Sequence, residues 1–167
     1  MIRARHVAGV SLAIACCAEL AMAQLDTGGD SLPVTRLRSG VTAYTTYSGL
    51  NDSVRAVVRD STAWLELWRV INRPFHPPPP LPPVDFEHDM IVIAALGARP
   101  TAGYDIVIEG ARQDSAAVEI ALRKLSPAPG CPVSAAMTQP VDLATIPASP
   151  RAVRFREKSV VVQCGAP

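Results

Sequence analysis

Apolar and polar positions change period several times along the chain, and each change marks an element. Over residues 53–59, Val54, Ala56 and Val58 stand against Arg55, Val57 and Arg59, the alternation of a strand. Residues 41–50, rich in Thr, Tyr and Val, predict a strand before it, with Asn51 and Asp52 making the turn. From Ser61 the period becomes helical. Trp64, Leu67, Trp68 and Ile71 fall on one face, Asp60 or Ser61 can cap the open N-terminal amides, and Pro74 ends the run. The two tryptophans read as core anchors, because large aromatics at helical spacing supply buried area. Residues 90–96 are apolar without alternation, which predicts a strand covered on both sides at the centre of a sheet. Tyr104, Ile106 and Ile108 alternate with Asp105 and Glu109, and Val118, Ile120 and Leu122 with Glu119 and Arg123; these strands flank residues 110–115 as a hairpin. Another strand is expected within residues 136–146, broken at Pro140, and a last one where Val153 and Phe155 alternate with Arg154, Arg156 and Lys158. Six or seven strands with one amphipathic helix define an α+β domain, mainly antiparallel, built as a sandwich or an open barrel with the helix against an end or one face.

Composition refines this picture at both ends of the chain. Arg3, Arg5 and His6, the apolar stretch 7–18 and the small residues Ala21, Met22 and Ala23 form an export signal, with cleavage expected after Ala23 and a periplasmic or extracellular destination. A lipid anchor at Cys16 is the alternative, but Ala13 stands where an attachment box carries a larger aliphatic residue. Residues 24–40 lack apolar periodicity and read as a flexible leader, leaving 41–167 as a single domain. Loss of the signal removes Arg3, Arg5 and Glu19, so basic and acidic residues become equal in number. A neutral chain of this kind is not built to capture nucleic acid. After Ala23 the longest uncharged apolar run, 90–97, is far too short to span a membrane. Cys131 and Cys164 remain as a pair in an oxidising space and are expected to be bonded, closing a long loop and tethering the C-terminus. The prolines at 77–80, 82 and 83 impose an extended polyproline segment, read as a strut between helix and sheet, with a docking motif for an aromatic groove as the sharper alternative.

The residue chemistry points away from catalysis. Without the signal the chain keeps only His76 and His88, and no Gly-x-Ser-x-Gly elbow surrounds a serine. Asp85, Glu87, His88 and Asp89 could hold a divalent ion, which makes a metal-assisted hydrolase the competing function, but neighbours in sequence need distant ligands to form a tight site. No cofactor motif is present and none is expected. Arg154, Arg156 and Lys158 form a basic stripe better explained as a solvated sheet face than as a partner site.

Three segments carry a family resemblance: Trp64-Leu65-Glu66-Leu67-Trp68; Val84-Asp85-Phe86 leading into Asp89-Met90-Ile91-Val92; and Leu96-Gly97-Ala98-Arg99-Pro100-Thr101-Ala102-Gly103-Tyr104, with Thr138-Gln139-Pro140 downstream. Together, over about residues 54–155, the chain resembles the C-terminal domain of the PrcB family, exported bacterial proteins named for a lipoprotein that associates with and stabilises a secreted protease complex. Ala102 stands where that family commonly has a second glycine. The resemblance implies a non-catalytic binding domain that stabilises or modulates a protease or another envelope protein, and a purely structural envelope module is a further alternative. The loop also resembles the Pro-Thr-Thr-Gly-aromatic loop that chagasin-type inhibitors insert into cysteine proteases. By that likeness Gly97, Arg99, Pro100, Thr101, Gly103 and Tyr104 form the partner-binding loop. The plainer expectation is that the two glycines shape a tight connection and Tyr104, on the face of Ile106 and Ile108, joins the core.

Overall fold

The computed structural model describes residues 29–37 and 46–165. In chain order these form β1 (Asp30–Leu32), β2 (Thr35–Arg36), β3 (Val54–Val58), α1 (Ser61–Ile71), β4 (Asp89–Ala95), β5 (Asp105–Gln113), β6 (Ala117–Pro127), β7 (Val141–Pro147) and β8 (Ala152–Val162). Two four-stranded sheets, β1-β5-β6-β8 and β2-β7-β4-β3, face each other, and α1 packs on the outer face of the second. This is a mainly β sandwich with one helix, and the sheets do not close into a barrel.

The unbroken apolar run of β4 has a direct cause. Met90, Val92 and Ala94 enter the core between the sheets, whereas Ile91, Ile93 and Ala95 enter a second core beneath α1. Both faces of the strand are therefore dry, and it lies inside its sheet between β7 and β3, as its pattern predicts. In α1, Asp60 rather than Ser61 is the cap, its carboxylate accepting from the Ala63 N–H at 2.8 Å. Trp64, Trp68 and Ile71 are buried against the sheet. The two indole N–H groups donate to the carbonyls of Pro82 at 3.0 Å and Pro79 at 2.9 Å. The proline segment is thus fastened along the helix.

Two expectations need correction. The segment 24–40 is not all leader: β1 and β2 lie within it and pair with β5 and β7, and Leu32 and Val34 pack on the sandwich core. Strands of three and two residues are too short for alternation to reveal them. The hairpin loop is not 110–115. The β5–β6 pairing runs on through Gln113, and the turn is closed by the Asp114 carboxylate, which accepts from the Ala116 and Ala117 N–H groups. A register shift between Ile108 and Gly110 moves the inward phase from Ile106 and Ile108 to Ala111, so the alternation stops where the strand continues. The sheets are mainly antiparallel, as expected, and the β6–β8 pair is the exception. Since β7 is placed in the other sheet, β8 returns beside β6 running in the same direction.

The expected strand over 41–50 falls partly outside the described residues; its remainder forms an isolated bridge between Tyr47 and Gln139. The export signal and Cys16 lie outside the described residues altogether. Among the described residues no helix is long and apolar enough to cross a membrane.

Candidate functional site: a hydrogen-bonded loop cluster at one end of the sandwich

Strand directions bring three connections to one end. β4 and β6 finish there, and β3, β5 and β7 start there, so residues 46–53, 96–104 and 128–140 are neighbours. The β4–β5 loop is the central one. Leu96 N–H donates to the Pro140 carbonyl at 2.9 Å, and the chain then turns at Gly97 with φ +78°. Any side chain at Gly97 would fail twice: the backbone is left-handed, and a Cβ would lie 2.6 Å from the Asn51 carbonyl oxygen. Glycine is what lets the loop press against residues 51–53.

Beyond Gly97 the loop is fastened on both sides. Ala98 N–H donates to the Asn51 carbonyl, and Arg99 and Thr138 exchange both backbone hydrogen bonds, at 2.7 and 3.0 Å. The Thr138 hydroxyl donates to the Thr101 carbonyl at 3.0 Å, and Ala102 N–H to the Ser134 carbonyl at 3.0 Å. Gln139 extends the frame. Its Nε2 donates to Asn51 Oδ1 at 2.7 Å, its Oε1 accepts from Gly49 N–H at 3.0 Å, and its carbonyl accepts from the buried Ser48 hydroxyl at 2.8 Å. With this many donors satisfied, the loop has few alternative shapes.

Of the expected loop residues, Gly97 is buried, Pro100 and Gly103 are exposed, and Arg99, Thr101 and Tyr104 are half-buried. Tyr104 packs on the sandwich core, the plainer of its two expectations. Arg99 is used internally: its guanidinium donates to the Leu96 carbonyl at 2.8 Å and lies over the Tyr104 ring, 5.9 Å from the centroid. What the loop presents outward is Ala98, Pro100 and Gly103. Beside it stand Val133, whose side chain approaches Gly103, and Met137, one residue before the Thr138 latch and 64% exposed. Tyr47 is exposed on the neighbouring bridge.

Sequence reasoning singled out the loop and gave Asn51 a turn, but assigned no part in holding the loop to Thr138, Gln139, Asn51, Ser48 or Ser134. Thr138-Gln139-Pro140 was visible as part of the resemblance; its partners lie some 40 to 90 positions away and leave no local pattern. Cys131 and Cys164 form the expected disulfide, whose sequence separation is 33. It reaches the same end, where both cysteines, Gly103, Pro127, Val133 and Val162 line a shallow cavity of about 200 Å³.

The acidic candidates lie at the opposite end, before β4. Asp85, Glu87 and His88 come together with one potential ligand atom each inside 4.8 Å, all exposed, and Asp89 is not among them. The Asp85 carboxyl is already engaged, accepting from Glu87 N–H at 3.0 Å and meeting His88 Nδ1 at 2.8 Å; these contacts, the His88 one foremost, hold its pKa below the usual carboxylate value. On the basic stripe, Arg156 pairs with Glu119, while Glu157 of the same strand turns toward Lys124 and Arg55.

The fold and this end of it define a class: a β-sandwich domain, one face covered by a helix, that displays a braced inter-strand loop. Residues 90–147 match the family model described as PrcB C-terminal, so that stretch of the chain is similar to a PrcB C-terminal domain. The match begins in β4 and ends with β7, so it contains the loop and the Thr138–Gln139 latch but not the Trp64 and Trp68 helix. No curated protein and no solved structure matches the chain.

Proposed function

We propose that the chain is an exported, non-catalytic binding domain that associates with a protease or another envelope protein through the loop 97–104, and stabilises or restrains it. The observation that carries this reading is the extent of the family match, which spans the loop, both strands that deliver it and the segment that latches it. The name of the matched family supports a protease as partner. The physical form of the loop agrees with binding. Ala98, Pro100 and Gly103 face solvent on a hydrogen-bonded frame, so little conformational entropy remains to be lost on docking. The disulfide fits an oxidising compartment.

A second reading, metal-assisted hydrolysis, is favoured only by the three ligand atoms of Asp85, Glu87 and His88. Two of those residues satisfy each other, and all three are open to water, where a bound ion is poorly held.

The test replaces only outward residues, Ala98→Glu with Pro100→Glu, and leaves Gly97, Thr138 and Gln139 in place. Wild-type chain immobilised against its native envelope extract is expected to enrich a protease whose active lifetime changes on addition of the chain. The double variant, melting at the same temperature, is expected to lose that enrichment about tenfold, the effect of removing a central contact. An unchanged set of captured proteins would remove the loop from the interface. Zinc-dependent turnover abolished by His88→Ala would favour the second reading.

A further inference from the structure

The proline segment 77–83 is not absorbed by the loop function. It runs alongside α1 in the opposite direction, bonded at two points one helical turn apart, and its two half-buried residues are three positions apart. Pro79 and Pro82 are half-buried, whereas Pro77, Pro78, Pro80, Leu81 and Pro83 are exposed. Pro79 and Pro82 are the two whose carbonyls receive the indole N–H groups of Trp68 and Trp64. Three residues per turn is the repeat of a polyproline II helix, which has three faces. One face is pinned to the helix. The other two carry Pro77, Pro80 and Pro83 on one row, and Pro78 with Leu81, 40% exposed, on the next.

A strut needs only its inner face. Outward positions of a strut in water are ordinarily polar, yet every outward residue here is proline or leucine. Two adjacent apolar ridges on a polyproline II helix are what an aromatic-lined groove receives, with ring faces packed between prolines. The indole bonds fix the segment from behind, so its shape is set before any partner arrives. The flanks supply a direction. Arg73 is exposed ahead of the segment, and Asp85 and Glu87 after it, so the two ends of a matching groove carry opposite charge.

The geometry points to a second interaction site: the proline strap over α1 is a docking ligand for a protein bearing an aromatic-lined groove, presented on its two outer faces while the inner face stays on Trp64 and Trp68. The site is independent of the loop cluster.

The test uses the whole chain and three isolated probes, an SH3, a WW and an EVH1 domain, titrated by calorimetry. A free peptide of residues 76–85 serves as reference. The expected result is that a domain binding the peptide also binds the folded chain with no change in tryptophan emission, since the inner face is not released. Pro80→Ser with Leu81→Ser, and separately Pro83→Ser, are expected to weaken binding about tenfold at unchanged melting temperature, because each removes part of an outer ridge. Binding of the peptide but not of the chain would show that the pinned strap cannot enter a groove and would overturn the proposal. So would a shift in tryptophan emission on binding, variants that bind like wild type, or failure of all three domains to bind either form.

Discussion

At the scale of single residues, two glycines on the β4–β5 side of the molecule invite opposite treatment. Gly97 has φ +78° and its missing Cβ would meet the Asn51 carbonyl oxygen at 2.6 Å and the Asp52 carbonyl carbon at 2.8 Å, both backbone atoms that cannot swing aside. Gly110, at the β5 irregularity, has nothing within 4 Å and no left-handed φ. Gly97→Ala is therefore expected to destabilise the domain by about 2–4 kcal/mol, from backbone strain together with the close contact. Gly110→Ala should leave stability unchanged or raise it by about 0.5 kcal/mol, by restricting the unfolded chain. Paired denaturation curves check both. Equal midpoints for the two variants would mean that the loop yields at Gly97 and that its braced form is not obligatory.

At the scale of elements, the open side of the sandwich, where edge strands β3 and β8 face each other, is bridged by charge. Arg55 of β3 donates to Glu157 of β8 at 2.6 Å and also to the carbonyls of Val54 and Ala95, while Lys124 of β6 reaches the same carboxylate at 2.8 Å. The hydrogen bond from Lys124 is the largest influence and holds the Glu157 carboxyl below its ordinary value of 4.5; burial opposes it, and the hydrogen bond from Arg55 adds to the lowering. A carboxyl with a lowered folded pKa stabilises fully above its unfolded value, and that stabilisation is lost as pH falls through the folded one. Glu157→Gln should thus cost about 1 kcal/mol at pH 7, discounted for partial exposure, with the gap to wild type closing below pH 4.5. A gap that persisted in acid would assign the loss to packing. None of this was legible in the chain, where Arg55 and Glu157 are 102 positions apart. Helix α1 and strands β3, β4, β6 and β8 were legible, because each keeps one period over its length and a core covers the matching face. β1 and β2 were not, being too short to repeat, and neither was the end of β5, where the irregularity at Gly110 changes phase. The loop 97–104 could be picked out by its glycines and proline. Its latch could not, because hydrogen bonding between distant backbones has no periodicity.

At the scale of the whole molecule, the two ends differ in how they are held. The end with Asp85, Glu87 and His88 is fastened by hydrogen bonds alone, within its own turn and from Ala148, whose N–H donates to the His88 carbonyl at 2.8 Å, whereas the loop end adds to its long-range hydrogen bonds the covalent bond between Cys131 and Cys164. That bond joins the segment leading to Thr138 with the stretch just past β8, next to Ala128, whose N–H donates to the Val162 carbonyl. In the chain-entropy account a closed loop of 33 residues is worth about 3–4 kcal/mol. Reduction, or replacement of both cysteines by serine, should lower the melting temperature by about 10 °C. The loosening should be unevenly spread. Amide exchange is expected to quicken over residues 128–140 and 98–104, where the latch and the cavity wall lose their tether, and to stay slow in β4 and β7, whose side chains are buried on both faces of their sheet. If reduction left exchange over 98–104 unchanged, the hydrogen bonds from Thr138 and Gln139 would suffice to hold the loop, and the disulfide would serve the C-terminal strand alone. The predicted pattern instead makes the outward face of Pro100 and Gly103 well ordered only in the oxidised chain, so binding through that face should weaken on reduction while the proline strap on α1 remains unaffected.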